Sequence, residues 1–349
     1  MDVADFDFAL PPELIAQQPC AARDDARLLV LDRAGGVLAH STVASLPGWL
    51  QPGDVLAVND TRVFPARLLG HRVPSGGAVE CLLLERLDRG RWDALVHPGQ
   101  KLRVGERVRF EAGGRAIDGE ILERRNFGRR TVHLNCEDSD AAGDIDAYID
   151  AIGHVPLPPY IRRPDADADR ERYQTVYARV RGSVAAPTAG LHLTEPLLGA
   201  LATKGVDRVE VTLHVGYGTF KPVRGEHVED HAVDPECYTI PAAAAVALNA
   251  ARDAGRRVVA VGTTTTRALE SAGRHGTLAA GEAVSDLFIR PGHRFTVVGG
   301  LLTNFHLPRS SLLMLVCAFA GRERVLAAYA EAVRLGYRFY SYGDAMLVL

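Results

Sequence analysis

The chain has 349 residues, 47% of them hydrophobic and 24% charged, with a formal net charge of −3 at pH 7. This is an ordinary globular composition with enough apolar material for a core, which excludes a disordered chain, and the length suggests two domains. There is no global basic excess, so any contact with nucleic acid has to come from a local patch.

Cys20, Cys81, Cys136, Cys237 and Cys317 have neither zinc-finger nor C-x-x-C spacing and read as free thiols in a reducing compartment. Asp2, Asp5 and Asp7 make residues 1–10 unlike a signal or transit peptide. The longest apolar run, 312–320, is too short for a bilayer. The expected location is the cytoplasm, with no membrane partner.

In chain order, 27–32 and 54–58 read as strands, with Leu50-Gln51-Pro52-Gly53-Asp54 as the turn before the second. Short apolar or alternating runs follow at 78–84, 92–96, 107–110, 116–122 and 130–134. Gly76-Gly77, Gly90, Gly99, Gly105, Gly113-Gly114 and Gly128 punctuate them, and no long helical period begins before about residue 142. That pattern predicts a small antiparallel barrel. Its arginines, Arg103, Arg107, Arg109, Arg115, Arg124, Arg125, Arg129 and Arg130, are interleaved with acids and read as a solvated face before a dedicated RNA patch.

From 156 onward, strands and helices alternate. A strand at 207–215 precedes an alanine-rich helix at 242–254, stopped by Gly255. Next come a strand at 257–261, a helix beginning at Arg267 and a strand at 296–302. An apolar helix to Phe319, capped by Ser310 or Ser311, a helix at 322–334 and a strand at 346–349 complete the chain. The expected fold is therefore α/β: a large α/β domain built from both chain ends (1–66 and 156–349), with a small antiparallel β-barrel inserted at 67–155.

Six segments carry polar groups that chemistry needs. Asn59-Asp60-Thr61-Arg62-Val63 follows a strand, where α/β domains place ligands; an Asx turn explains it equally well. In Ala186-Pro187-Thr188-Ala189-Gly190-Leu191-His192-Leu193-Thr194, Thr194 caps the next helix. The helix dipole then favours a neutral imidazole at His192, either as a base or as a hydrogen-bonded structural residue. Leu213-His214-Val215-Gly216-Tyr217-Gly218 lacks the third glycine and the acidic partner of a dinucleotide fingerprint.

His227 and His231 are four residues apart, but Pro222, Gly225 and Pro235 oppose a helix, so no metal site is expected. In Val261-Gly262-Thr263-Thr264-Thr265-Thr266-Arg267, the glycine permits a tight turn. The hydroxyls and free amides beyond it suit a carboxylate or phosphate, with Arg267 one turn on; a threonine-capped helix is the plainer reading. Thr303-Asn304-Phe305-His306-Leu307-Pro308 presents Asn304 and His306 at a strand end. With no Walker loop and no Gly-x-Ser-x-Gly elbow, ATP hydrolysis and serine-hydrolase chemistry have no support.

Together, these segments resemble one family along nearly the whole chain. The ordered set starts with Phe6-Asp7-Phe8, Leu14-Ile15-Ala16-Gln17, Arg27-Leu28-Leu29-Val30 and Asn59-Asp60-Thr61-Arg62-Val63. It continues with Pro65-Ala66-Arg67-Leu68, Pro156-Leu157-Pro158-Pro159-Tyr160-Ile161 and Glu171-Arg172-Tyr173-Gln174-Thr175-Val176-Tyr177. It ends with 182–192, Thr212-Leu213-His214-Val215-Gly216, Thr303-Asn304-Phe305-His306-Leu307-Pro308 and Ser341-Tyr342-Gly343-Asp344-Ala345-Met346. The chain resembles the S-adenosylmethionine:tRNA ribosyltransferase-isomerases of queuosine biosynthesis. It departs from them at Val233-Asp234, where the family has Met-His, and at Leu193, where it has phenylalanine. Thr265 and Thr266 stand where serine or valine is frequent.

The resemblance implies a large α/β domain with an inserted barrel. The absence of metal-ligand spacing points to a metal-free enzyme, and a monomer without a prosthetic group is expected. S-adenosylmethionine is its co-substrate and gives its ribosyl part. The acceptor is tRNA carrying 7-aminomethyl-7-deazaguanine at the wobble position. The products are epoxyqueuosine-tRNA, adenine and methionine. For that reaction His192 is the favoured base, and Asp60 or His306 protonates or positions adenine. Gly262, Thr263, Thr264 and Arg267 hold the methionine end, with Asn304 beside them.

Arg62 serves a substrate phosphate or carboxylate, with His214 and Asp230 as second-rank substrate groups. Arg162, Arg163, Arg179 and Arg181 are expected on the tRNA backbone. Tyr217, Phe220, Tyr340 and Tyr342 are candidates for stacking on a base, or else core residues. Two other readings compete. An RNA methyltransferase needs a glycine-rich loop after its first strand, and none is evident. A noncatalytic RNA-binding module accounts for the arginines but not for the polar strand ends.

Overall fold

The computed structural model describes residues 1–125, 128–136, 144–220, 223 and 225–349. The chain runs through β1 (Arg27–Asp32), β2 (Gly36–Thr42), β3 (Val55–Asn59), β4 (Thr61–Val63), β5 (Arg67–Val73), β6 (Ala78–Arg86) and β7 (Arg91–His97). Then follow β8 (Arg107–Ala112), β9 (Arg115–Arg124), β10 (Arg129–Asn135), β11 (Val180–Ser183), β12 (Asp207–Leu213) and β13 (Glu236–Ile240). The last are β14 (Val258–Val261), β15 (Gly281–Ser285), β16 (Gly300–Asn304) and β17 (Ala345–Val348).

Among the described residues, nine strands form one sheet in the order β15-β13-β12-β3-β14-β16-β17-β1-β2, and six close a barrel, β10-β7-β6-β5-β8-β9. The expected α/β fold with an inserted antiparallel barrel is what the chain forms. Two compact units separate: Met1–Arg62, Pro159–Arg163 and Arg172–Leu349 make one, Val63–Pro158 and Pro164–Glu171 the other.

In the large sheet, β12, β3, β14 and β16 run parallel. Their side chains alternate between two cores, as the strand repeat of two requires. Leu29, Leu31, Val55, Ala57, Val258, Ala260 and Leu301 enter one core, with the helices Ala242–Asp253, Ser311–Ala320 and Arg322–Arg334. Leu28, Val30, Leu56, Val58, Val259, Val261 and Leu302 enter the other, with the helix Glu195–Thr203. Burial on both faces explains why these strands read as continuous apolar runs. The barrel closes because all six of its pairings are antiparallel and no edge is left. Gly70 lets β5 approach β8, since a Cβ there would lie 2.1 Å from the Arg109 carbonyl oxygen.

The structure corrects several expected elements. The helix expected at Arg267 begins at Thr263. Threonine is a poor helix former, but Thr265 and Thr266 donate back to the carbonyls of Val261 and Gly262 at 2.6 and 3.1 Å. The strand expected at 296–302 begins only at Gly300. The amides of Thr296, Val297 and Val298 donate to the Glu270 carboxylate at 2.8 to 3.0 Å and so pair with a side chain. Strands β2, β4, β5, β11, β13 and β15 had no sequence counterpart. The helix expected from about residue 142 is described from Asp144 to Ile152, and residues 142–143 lie outside the described residues. No described helix is long and apolar enough to cross a membrane.

Candidate active site

The carboxyl ends of the parallel strands converge on one side of the sheet, the usual place for ligands in this architecture. There, in the larger unit, lies a cavity of about 240 Å³. It is smaller than the roughly 300–1,000 Å³ pockets that engulf drug-sized ligands, so it fits part of such a molecule. Its wall is largely apolar, from Ala185, Ala186, Ala189, Val215, Leu307 and Leu312, with a few polar groups converging from four chain segments.

The first segment is the turn after β14. Gly262 has φ +93°, a conformation glycine tolerates, and serves as N-cap of the helix Thr263–Ala272. Thr263 and Thr264 face the cavity from the first turn. The second is the end of β16. Phe305 is fully buried among Tyr329, Tyr337 and Phe339, with ring centroids 5.1–5.5 Å away. Its two neighbours, Asn304 and His306, turn instead to the cavity. The His306 amide donates to the Tyr329 hydroxyl at 3.0 Å, and its Nε2 lies 2.8 Å from the Thr303 hydroxyl. Burial pushes the His306 imidazole down to about 3 and so keeps it neutral.

The third segment is the tight turn Thr188–His192, and the fourth precedes β17. Tyr340 has φ +74°, rare for a residue with a side chain, and its ring lies 3.9 Å from that of Tyr160, centroid to centroid. The Tyr160 hydroxyl reaches Ser341 Oγ at 2.6 Å. Both rings line the cavity.

Asn304 ties three segments together. Its Nδ2 lies 2.9 Å from His192 Nε2 and donates to the Tyr340 carbonyl at 3.1 Å. Its Oδ1 accepts from the Thr188 hydroxyl at 3.0 Å. His192 is buried behind Asn304 and is not among the residues lining the cavity. Burial pushes its imidazole down to about 4. Thr194 caps the next helix as expected, accepting from the Leu197 amide at 3.3 Å.

Of the residues singled out from sequence, Gly262, Thr263, Thr264, Asn304 and His306 therefore meet in one cavity. Others lie elsewhere. Asp60 is buried under Arg179 at 2.7 Å and accepts from the Thr212 hydroxyl at 2.6 Å, a strand-end lock outside the cavity wall. Arg267 turns away from the cavity: its guanidinium pairs with buried Glu236 at 2.5 Å and bonds the Leu287 carbonyl at 3.2 Å. His214 Nδ1 meets the Thr61 hydroxyl at 2.8 Å, and burial lowers its pKa against the pull of Asp60.

Asp230 is exposed in the turn Val228–Asp230. Arg62, Arg162 and Arg179 are exposed; Arg163 bonds the Gln17 carbonyl at 3.0 Å, and Arg181 is half-buried. Tyr342 packs edge-on against Tyr173, and the Phe220 side chain lies outside the described residues. Tyr160, Thr188 and Ser341 were not singled out as site residues. Tyr160 and Ser341 are 181 positions apart, and nothing local in either motif signals the meeting.

A family model described as "Queuosine biosynthesis protein" matches residues 3–348. An S-adenosylmethionine:tRNA ribosyltransferase-isomerase of Anaeromyxobacter sp. (strain K) is 54% identical, with 100% of this chain and 99% of that protein covered. One of the same name from Symbiobacterium thermophilum is 50% identical over the full length of both. The crystal structure of an S-adenosylmethionine tRNA ribosyltransferase from Thermotoga maritima is similar, with a TM-score of 0.55 and 38% identity, covering 99% of this chain and 100% of that one.

Proposed function

This chain belongs to the queuosine biosynthesis protein family, and we propose that it transfers and isomerises the ribosyl moiety of S-adenosylmethionine onto 7-aminomethyl-7-deazaguanine at the tRNA wobble position. The products are epoxyqueuosine-tRNA, adenine and methionine. The observation that carries the reading is the cavity at the strand ends, where a helix start, a neutral histidine and an aromatic pair face one another.

The sulfonium acidifies the hydrogens on the neighbouring 5′ carbon. A base takes one, adenine leaves with a proton, and the substrate amine attacks the unsaturated sugar. Rearrangement then expels methionine and closes the epoxide. The cationic sulfonium and a neutral amine give neutral products, so one proton is released overall.

The residues divide the work by position. The amides and hydroxyls of Thr263 and Thr264, at the helix start that Gly262 turns, receive the methionine carboxylate. Arg267 takes no part, because it is committed to Glu236. His306 is the proton-transfer group of the cavity; its neutrality avoids repulsion with the sulfonium. Tyr160 and Tyr340 offer the aromatic surface for adenine. Exposed Arg62, Arg162 and Arg179, with Arg163 and Arg181, contact tRNA phosphates, and an unstacked wobble base enters from solvent. The enzyme works as a cytoplasmic monomer with S-adenosylmethionine as its co-substrate.

The test is product analysis. The purified chain is incubated with S-adenosylmethionine and tRNA, with or without the deazaguanine amine. Adenine and methionine formed in equal amounts, and only with the modified tRNA, is the expected result. S-adenosylhomocysteine with methylated tRNA would instead make it a methyltransferase, and no consumption of S-adenosylmethionine would leave an RNA-binding module.

A further inference from the structure

The contacts of Asn304 determine how its carboxamide is turned. The Tyr340 carbonyl oxygen can only accept, so the amide atom 3.1 Å away is the nitrogen. The two hydrogens of that nitrogen go to Tyr340 and to His192 Nε2, 2.9 Å away, so Nε2 is an acceptor and the ring proton sits on Nδ1. The backbone of Arg23 meets the ring as a second hydrogen-bond partner. Neither ring nitrogen is left for a substrate, and His192 is walled off from the cavity by Asn304 itself. Asn304 Oδ1 takes the Thr188 hydroxyl on one lone pair, which leaves a second for an N–H or O–H donor, and both residues line the cavity.

We infer that His192 is a positioning residue that locks Asn304 with its oxygen toward the cavity, where that oxygen accepts a hydrogen bond from an N–H or O–H donor of the bound nucleoside. This rests on the reading of the cavity as the S-adenosylmethionine site. A protonated His192 would present a donor to the amide nitrogen. Turning the amide to suit it would set Asn304 Oδ1 against the Tyr340 carbonyl, so the lock works only with a neutral ring. Burial of the ring keeps it in that form.

A base and a lock respond differently to glutamine, whose amide oxygen can take the place of Nε2 as an acceptor but cannot carry a proton. His192→Gln, which keeps the acceptor, is expected to keep adenine-release turnover within about tenfold of wild type, the most that one imperfectly placed neutral hydrogen bond is worth. His192→Ala, which removes the acceptor, is expected to fall well below it. If His192→Gln loses the roughly 10²–10⁴-fold expected for a lost general base, the lock is wrong. It is also wrong if His192→Ala turns over like wild type.

Thermal melting of both variants identifies a misfolded protein, and if the alanine variant unfolds, the glutamine variant decides. Nitrogen NMR of His192 in the wild-type chain at pH 7 reads the same claim without turnover. A neutral ring protonated on Nδ1 is expected, and a proton on Nε2 overturns the inference. Wild-type protein that releases no adenine with modified tRNA would count against the proposed function, while the NMR result would still decide the lock.

Discussion

Burial takes His306 and His192 far below their ordinary range, to about 3 and about 4 against 6.5 in an exposed side chain. Between pH 6.5 and those values the unfolded chain binds protons that the folded chain refuses. Stability therefore rises with pH across that window and is lost as pH falls through it, by at most about 1.4 kcal/mol per unit for each histidine. His306→Gln removes one of the two contributions. Chemical denaturation from pH 7 to pH 4 should show a shallower slope for that variant, and an unchanged slope would mean His306 protonates freely in the folded state.

His306→Ala should also lower turnover by about 10²–10⁴-fold with tRNA affinity unchanged. Arg267 shows the opposite lesson. Its partner Glu236 lies 31 residues upstream, so the local pattern of a helix start with a nearby arginine read as an anion clamp. Arg267→Ala strands a buried carboxylate and should cost about 3–5 kcal/mol in a denaturation experiment, as for other broken buried pairs. S-adenosylmethionine affinity should change little in the fraction that still folds.

At the scale of elements, hydrogen bonds from side chains to backbone decide where helices and strands begin. Thr194 satisfies an amide of the helix Glu195–Thr203, and Thr194→Ala should cost about 1 kcal/mol and lower Tm by a few degrees. That cap was legible because a threonine before an apolar run is a local signal. The start of β16 was not legible, because Glu270 captures three amides from 26 to 28 residues away. The helix start at Thr263 was not legible for a related reason: Thr265 and Thr266 satisfy their hydroxyls on carbonyls four residues back, so the helix accommodates residues that propensity disfavours. The barrel was legible from its glycine punctuation. The role of Gly70 was not, because the close approach to Arg109 exists only once β5 and β8 pair. Gly70→Ala should force these strands apart and destabilise the barrel, seen as early loss of amide-exchange protection at β5 and β8.

For the whole molecule, the α/β layer could be read from sequence because strands buried on both faces are unbroken apolar runs, and because strand and helix periods alternate. The meeting of Gly262, Thr263, Thr264, Asn304 and His306 at one cavity follows from the same pattern: residues that end such runs lie at one sheet edge. The aromatic pair of Tyr160 and Tyr340 was not, since only the folded chain brings them to 3.9 Å. The central claim is that the carbon skeleton of the ribose, and not the methyl group, moves from S-adenosylmethionine to tRNA. The most direct test is to supply S-adenosylmethionine labelled in the ribose or in the methyl carbon, with tRNA carrying 7-aminomethyl-7-deazaguanine, and to follow label into tRNA. Ribose label in the tRNA, with methyl label released as methionine, is the predicted result. Methyl label in the tRNA, or no label there from either position, would contradict it.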